Sequence, residues 1–169
     1  MKKNYILKKQ FLLLIIIACS SICSAQTDTS LLYLRFPIIP SFKIINLADS
    51  TSFTKDNLKK KKATIVMVFS PDCEHCQEET KELTAKMKLF KKAQIIMVSP
   101  LDYGYMKKFY TDYKIADHPT ITMGRDPGYF FGTFYKVRSF PSIFVYDKKG
   151  NFVKSFTGLT PVEEIAAAL

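Results

Sequence analysis

Apolar positions along this chain fall into two kinds of run. Thr64-Ile65-Val66-Met67-Val68-Phe69 is continuous and β-branched, the pattern of a strand buried on both faces of a sheet. Residues 94–98 repeat it and stop at Ser99-Pro100. Between the two, the pattern turns helical. From Cys73 to about Lys92, the apolar Leu83, Met87 and Phe90 recur at helical spacing on one face. Residues 103–113 predict a second helix, with Tyr105, Met106, Phe109 and Tyr113 on its apolar side. These aromatics read as core packing rather than a ligand platform.

The flanking elements are shorter. Phe42-Lys43-Ile44-Ile45 predicts a strand, Asp49-Ser50-Thr51-Ser52 a turn, and residues 54–57 a short helix or turn. Thr120-Ile121-Thr122-Met123 predicts a strand and Asp126-Pro127-Gly128 a turn. Residues 128–136 predict a helix in which Phe130, Phe131 and Phe134 blur the period. Ser142-Ile143-Phe144-Val145-Tyr146 is a strong strand, residues 147–151 a hairpin turn, and residues 152–156 its antiparallel return. Thr160-Pro161 opens a last helix through Leu169, with Glu163 and Glu164 in its first turn. The order βαβ, α, β-hairpin, α predicts an α/β fold with a central mixed β-sheet flanked by helices.

The first 25 residues carry a different pattern. Lys2, Lys3, Lys8 and Lys9 precede eight apolar residues, 11–18, and then Cys23-Ser24-Ala25 before Gln26. A basic start, an apolar middle and small residues at the junction predict an export signal cut after Ala25. The apolar run is too short to span a bilayer, which takes about 20 residues. An alternative cut reads Ile16-Ile17-Ala18-Cys19 as a loose lipobox, making Cys19 a lipidated N-terminus and the membrane a partner. Residues 26–37 then form a leader segment and 38–169 the domain. Either way the expected location is the periplasm or cell envelope.

Export changes the meaning of the composition. The whole chain has 169 residues, enough for one domain, and a net charge of +10. That charge first suggests a nucleic-acid or membrane partner. Four lysines leave with residues 1–25 and no acid does, so the remaining net charge is +6. Its main cluster, the lysines at 59–62, reads as a solvated loop before a strand, with no aromatic or glycine-rich pattern for nucleic acid. Of four cysteines, a cut after Ala25 leaves Cys73 and Cys76.

Those two stand as Cys73-Glu74-His75-Cys76 at the junction of a buried strand and a long helix. The spacing closes too small a loop to be a useful staple. At a helix N-terminus the unpaired N–H groups and the macrodipole favour negative charge on sulfur. The more exposed Cys73 is then the attacking nucleophile and Cys76 the resolving thiol, so the pair cycles between dithiol and redox-active disulfide. A structural disulfide is the plainer alternative. A zinc site lacks ligands, since only His75 and His118 remain besides the two sulfurs.

The turn Phe69-Ser70-Pro71-Asp72-Cys73-Glu74-His75-Cys76 before a long helix resembles the active-site turn of the thioredoxin superfamily. The extension before Ile65, Glu79 three residues past Cys76, and the Pro141-Ser142-Ile143-Phe144-Val145-Tyr146 segment resemble its TlpA-like branch of exported thiol–disulfide oxidoreductases. The resemblance covers about residues 38–169. It implies a thioredoxin-like fold and disulfide exchange with protein thiols, most simply as a reductant. No cofactor is required, and an upstream thiol–disulfide donor supplies electrons. It further implies a cis bond between Phe140 and Pro141, with the Phe140 backbone pairing with substrate. Glu79 becomes a proton-relay candidate and His75, placed as in DsbA-like sites, a tuning residue. The chain departs from thioredoxins at Asp72, where they carry Trp; at Met67, where they bury an Asp; and at Lys81, where they place a Pro. Two rival readings remain: a copper or zinc delivery module using the same sulfurs with a distant His such as His118, and a thiol peroxidase of the redoxin group, with Ser70 at the place of the peroxidatic Thr.

Overall fold

The continuous apolar run becomes strand β3 (Ala63–Val68), all of it buried. Its side chains alternate between two cores. Ile65 and Met67 enter one, with Phe69; Val66 and Val68 enter the other. Strand β4 (Ala93–Ser99) divides its residues in the same way and pairs with β3 in parallel, from Ala63↔Ala93 to Val68↔Val98. Helix α2 (Glu74–Ala85) is the crossover between them.

These elements belong to a computed structural model that describes residues 31–169. The export signal, Cys19 and Cys23 lie outside the described residues. Within Leu31–Leu169, one compact unit, the remaining elements are α1 (Leu32–Arg35), β1 (Lys43–Asn46), β2 (Ser52–Thr54), α3 (Tyr103–Asp112), β5 (Ile121–Arg125), α4 (Phe130–Phe134), β6 (Ser142–Tyr146), β7 (Phe152–Thr157) and α5 (Val162–Ala167). The strands form one mixed sheet in the order β2-β1-β5-β4-β3-β6-β7. Strands β3, β4 and β5 are parallel, while β6 runs antiparallel to β3. Helices cover both faces, so the α/β expectation of a thioredoxin-like sheet is met.

Four local expectations change. The crossover helix stops at Ala85 rather than near Lys92, and the 3-10 turn Met87–Phe90 follows. The tighter winding of that turn delivers Phe90 into the core and leaves Leu89 exposed. Strand β2, antiparallel to β1, occupies Ser52–Thr54 where only a turn and a short helix were foreseen. Its three residues are too few to show a period. Strand β5 runs on to Arg125, and Gly124 in it makes room for Ile44. A Cβ there would lie 2.4 Å from the Ile44 Cδ1 and 2.8 Å from its Cγ1. The predicted helix at 128–136 shrinks to α4, bounded by left-handed Tyr129 and Lys136. The Tyr129 ring rests on Gly132, where a Cβ would come within 2.5 Å of it.

The stretch before Pro37, read from sequence as leader, packs on the sheet over its described part. Tyr33 is buried against Tyr135, Phe144 and Phe152, with ring centroids 5.7, 5.1 and 5.2 Å away. The Tyr135 and Tyr146 hydroxyls share a buried hydrogen bond of 2.7 Å beneath this cluster. Replacing Tyr33→Ala should therefore lower stability by about 3 kcal/mol. A fall in the urea midpoint at constant m-value reads this out; an unchanged midpoint would mean α1 is not part of the cooperative unit.

Candidate active site

The site is assembled where β3 ends. The Phe69 N–H donates to the Val98 carbonyl at 3.0 Å, the last link of the parallel pair. Then Ser70, Pro71 and Asp72 turn the chain out of the sheet. The Ser70 hydroxyl donates to the Asp72 carboxylate, and the Gln77 side-chain amide donates to the Pro71 carbonyl at 3.0 Å. This second bond ties the turn to the helix it precedes.

Cys73 is the N-cap of α2. Its Sγ accepts the Cys76 backbone N–H at 3.3 Å, and its S–H faces the Phe140 carbonyl at 3.7 Å. The N-cap role explains the position in the sequence: a side-chain acceptor is needed where the first helical N–H groups lack partners. Cys73 is partly exposed and Cys76 buried, and both are free thiols. Burial, and then the contact with Cys73, pushes the Cys76 thiol far up. The two sulfurs are therefore unequal in access, as the sequence pattern predicts.

Phe140 and Pro141 arrive from the far end of the chain. The register Val68↔Ser142 sets the start of β6 beside the end of β3. The Phe140–Pro141 bond is cis, as the resemblance implied. Pro141 is buried, its carbonyl accepts the Gly158 N–H at 2.8 Å, and the Ser142 hydroxyl donates to the Ser139 carbonyl at 2.8 Å. These bonds hold the Phe140 carbonyl over Cys73.

Glu79 lies three residues beyond Cys76, on the same face of α2. It is 0% exposed. One carboxylate oxygen accepts the Thr160 N–H at 2.8 Å, and the other is buried with no partner among the described residues. Burial pushes its pKa from 4.5 up to about 7; the Thr160 N–H opposes this, and Glu82 and Glu78 add to it. Glu79 is thus a buried acid with one unpartnered oxygen within one helical turn of Cys76, not a surface charge.

The other residues singled out in the sequence divide. His75 is exposed on the first turn of α2, and the recorded partners of the Cys73 sulfur are Cys76 and Phe140, not this imidazole. His118 precedes β5, whereas Cys73 follows β3, and these strands are parallel through β4, so the two lie at opposite ends of the sheet. Met67 is 0% exposed in the core, and Asp72 is exposed. Among the described residues no group of three or more His, Cys, Asp or Glu side chains could hold a metal ion. Gln77 and Thr160, which brace the turn and Glu79, were not foreseen. A glutamine inside a helix carries no signal, and Thr160 was legible only as a helix start.

The thioredoxin-like domain family matches residues 54–169. This chain belongs to that family. Solved structures share its fold at low identity. A secreted Mycobacterium tuberculosis disulfide oxidoreductase homologous to Escherichia coli DsbE is 18% identical, with a TM-score of 0.63 over 75% of this chain and 92% of its own. StoA from Bacillus subtilis is 16% identical, with a TM-score of 0.58 over 78% and 98%. Peroxidoxin BcpB from Mycobacterium tuberculosis is 12% identical, with a TM-score of 0.66 over 78% and 92%. No curated protein matches the chain. The family agrees with the thioredoxin-superfamily resemblance, and these solved structures share its fold.

The buried acid makes stability depend on pH. The folded state holds the Glu79 proton more tightly than the unfolded chain, so its contribution is full below about pH 4.5 and is lost as pH rises through about 7. Glu79→Gln keeps an acceptor for Thr160 without the charge. Across that window the wild type should lose about 2–3 kcal/mol relative to Glu79→Gln in urea unfolding. Parallel pH profiles would show that Glu79 does not titrate in this range.

Proposed function

We propose that this protein is an exported thiol–disulfide oxidoreductase that reduces disulfides in proteins through Cys73 and Cys76. The observation that carries this reading is the arrangement of one approachable sulfur capped by Phe140, one buried sulfur a turn inside the helix, and a buried acid beside it. Thioredoxin-like proteins in general act on protein thiols and disulfides.

In the reductive direction the Cys73 thiolate attacks one sulfur of a substrate disulfide, and the other substrate sulfur leaves as a thiolate. Cys73 and the substrate are now joined. The Cys76 N–H, aimed at the Cys73 sulfur, offers a donor to negative charge there. Cys76 must then lose its proton to attack Cys73 Sγ, and burial holds that proton in place. Ionised Glu79, with its unpartnered oxygen, is the acceptor the site provides. The second substrate thiolate leaves, and the protein is left as the Cys73–Cys76 disulfide. Two electrons have passed to the substrate, and an upstream dithiol returns them. Phe140, whose carbonyl now faces Cys73, offers its backbone to an extended substrate segment, and Pro141 holds that segment's path. His75, exposed beside the first sulfur, acts on the charge of an incoming substrate rather than on the resting thiol.

Export is supported by the basic and apolar pattern of residues 1–25 and by a site of two cysteines suited to disulfide chemistry. Two features weigh against the rival readings. The Ser70 hydroxyl is directed at Asp72 rather than at the Cys73 sulfur, which leaves the peroxidatic position without its helper. His118 cannot join the two sulfurs from the opposite end of the sheet.

Cys73→Ala should reduce insulin-disulfide reduction to background. Cys76→Ala should accumulate a mixed disulfide with protein substrates, visible on non-reducing gels. If Cys76→Ala turns over as fast as wild type, the resolving role is wrong. Glu79→Gln should slow reduction about a hundredfold and flatten the rate–pH profile near pH 7, where Glu79 titrates. Hydrogen peroxide consumed faster than protein disulfide would favour the peroxidase reading.

A further inference from the structure

One charged surface has no part in thiol exchange. Where β3 begins, the lysines at 59–62 with Lys55, Lys148 and Lys149 rim a cleft of about 420 Å³. Only two acids share it, Asp56 and Asp147. Asp147 is engaged in its own turn, accepting the Lys149 N–H at 2.7 Å and the Asn151 N–H at 2.9 Å. None of the seven lysines is in an ion pair among the described residues. Seven ammonium groups this close repel one another, a cost that an anionic ligand removes.

The loop that carries them is braced from inside. Gln94, 6% exposed at the start of β4, accepts the Lys59 N–H at 2.8 Å. The same side chain donates to the Lys59 carbonyl at 3.1 Å and to the Thr64 hydroxyl at 3.0 Å. Upstream, Thr54 and Asn57 close a capping box around the 3-10 turn Lys55–Asn57. Lys55 Nζ donates to the Ile39 carbonyl at 2.6 Å, tying the loop to the chain before β1. A buried amide is thus committed to holding a lysine loop in one shape.

Beside the lysines stands an apolar side chain in water. Ile38, 53% exposed, lines the cleft, and Phe36, 52% exposed, lies two residues before it in the chain. The chain on either side of Ile38 is pinned to the β6–β7 hairpin: Phe152 N–H donates to the Pro37 carbonyl at 2.8 Å, and Ile39 N–H to the Gly150 carbonyl at 2.9 Å. Ile38 therefore lines the same cleft as Lys148 and Lys149. Ammonium groups around exposed apolar side chains match the interface of an anionic bilayer, where phosphates meet the lysines and acyl boundaries take the apolar groups.

We propose that this end of the molecule binds an anionic lipid bilayer surface. No helix among the described residues is long and apolar enough to cross a bilayer. The six residues of β3 separate the lysine loop from the redox turn, roughly 20 Å at the rise of a strand. Binding in this way turns Cys73 away from the lipid and toward soluble substrates. Lipid contact and disulfide reduction are separable, so failure of one leaves the other standing.

The test is co-sedimentation of the full chain with phosphatidylcholine vesicles, with and without phosphatidylglycerol. The triple variant Lys60→Glu, Lys148→Glu, Lys149→Glu should lose about a hundredfold in affinity for the anionic vesicles, with insulin reduction and urea midpoint unchanged. Residues 1–30 are the same in both proteins, so their contribution cancels. Phe36→Ser with Ile38→Ser, a second variant that leaves the charges in place, should weaken the same binding about tenfold. Equal binding of the wild type to both kinds of vesicle, or an affinity for anionic vesicles undiminished in the triple variant, would overturn the proposal. Retention on immobilised polyglutamate without vesicle binding would assign the lysines to an acidic protein and overturn it too.

Discussion

The site depends on one pairing, the antiparallel register between β3 and β6. Val68 opposite Ser142 puts Pro141 and the Phe140 carbonyl beside the turn that leaves β3. A slip of one residue would exchange the faces of β6, sending Ile143 and Val145 to the wrong core and the Phe140 carbonyl away from Cys73. The two cores on either side of the sheet hold that register, because Phe144 and Tyr146 pack into one as Ile143 and Val145 pack into the other. The geometry of the candidate site is thus set by hydrophobic sorting across residues that lie outside it.

The same sorting produces the inequality between the sulfurs. Cys73 caps the helix and keeps an open side; Cys76, one turn on, falls on the face turned to the core. Glu79 follows Cys76 onto that face and is carried out of water with it. Its unpartnered oxygen costs stability when charged. The folded protein tolerates this because the group binds a proton near neutral pH instead. A destabilising acid beside a thiol held in its protonated form is the kind of perturbed pair that gathers at functional sites.

The two ends of the strands carry different chemistry. Sulfur and a buried carboxyl lie where the parallel strands finish; lysines and exposed apolar groups lie where they begin. A parallel sheet separates its ends by the length of its strands, so a contact at one end does not crowd the other. The net positive charge, which suggests nucleic acid when counted over the whole chain, becomes a local property of one loop and one hairpin.

Much of this was legible in the chain itself. Continuous β-branched runs mark strands covered on both faces, because such strands have no polar side to show. A pair of cysteines straddling a helix start marks its own chemistry, because spacing and a helix N-terminus are local facts. What only the tertiary structure decided are relations between distant residues. Tyr33 joins the core because Tyr135, Phe144 and Phe152 leave a place for its ring. Glu79, which in sequence stands among Glu78 and Lys81 like any surface charge, is buried because Thr160 and the core close over it. His118 is kept from the sulfurs by the direction of the strands. Local patterning determines which elements form, since side-chain periodicity acts over a few residues. The packing of those elements decides which groups leave water, and in this protein leaving water is what turns a glutamate and a cysteine into a candidate site.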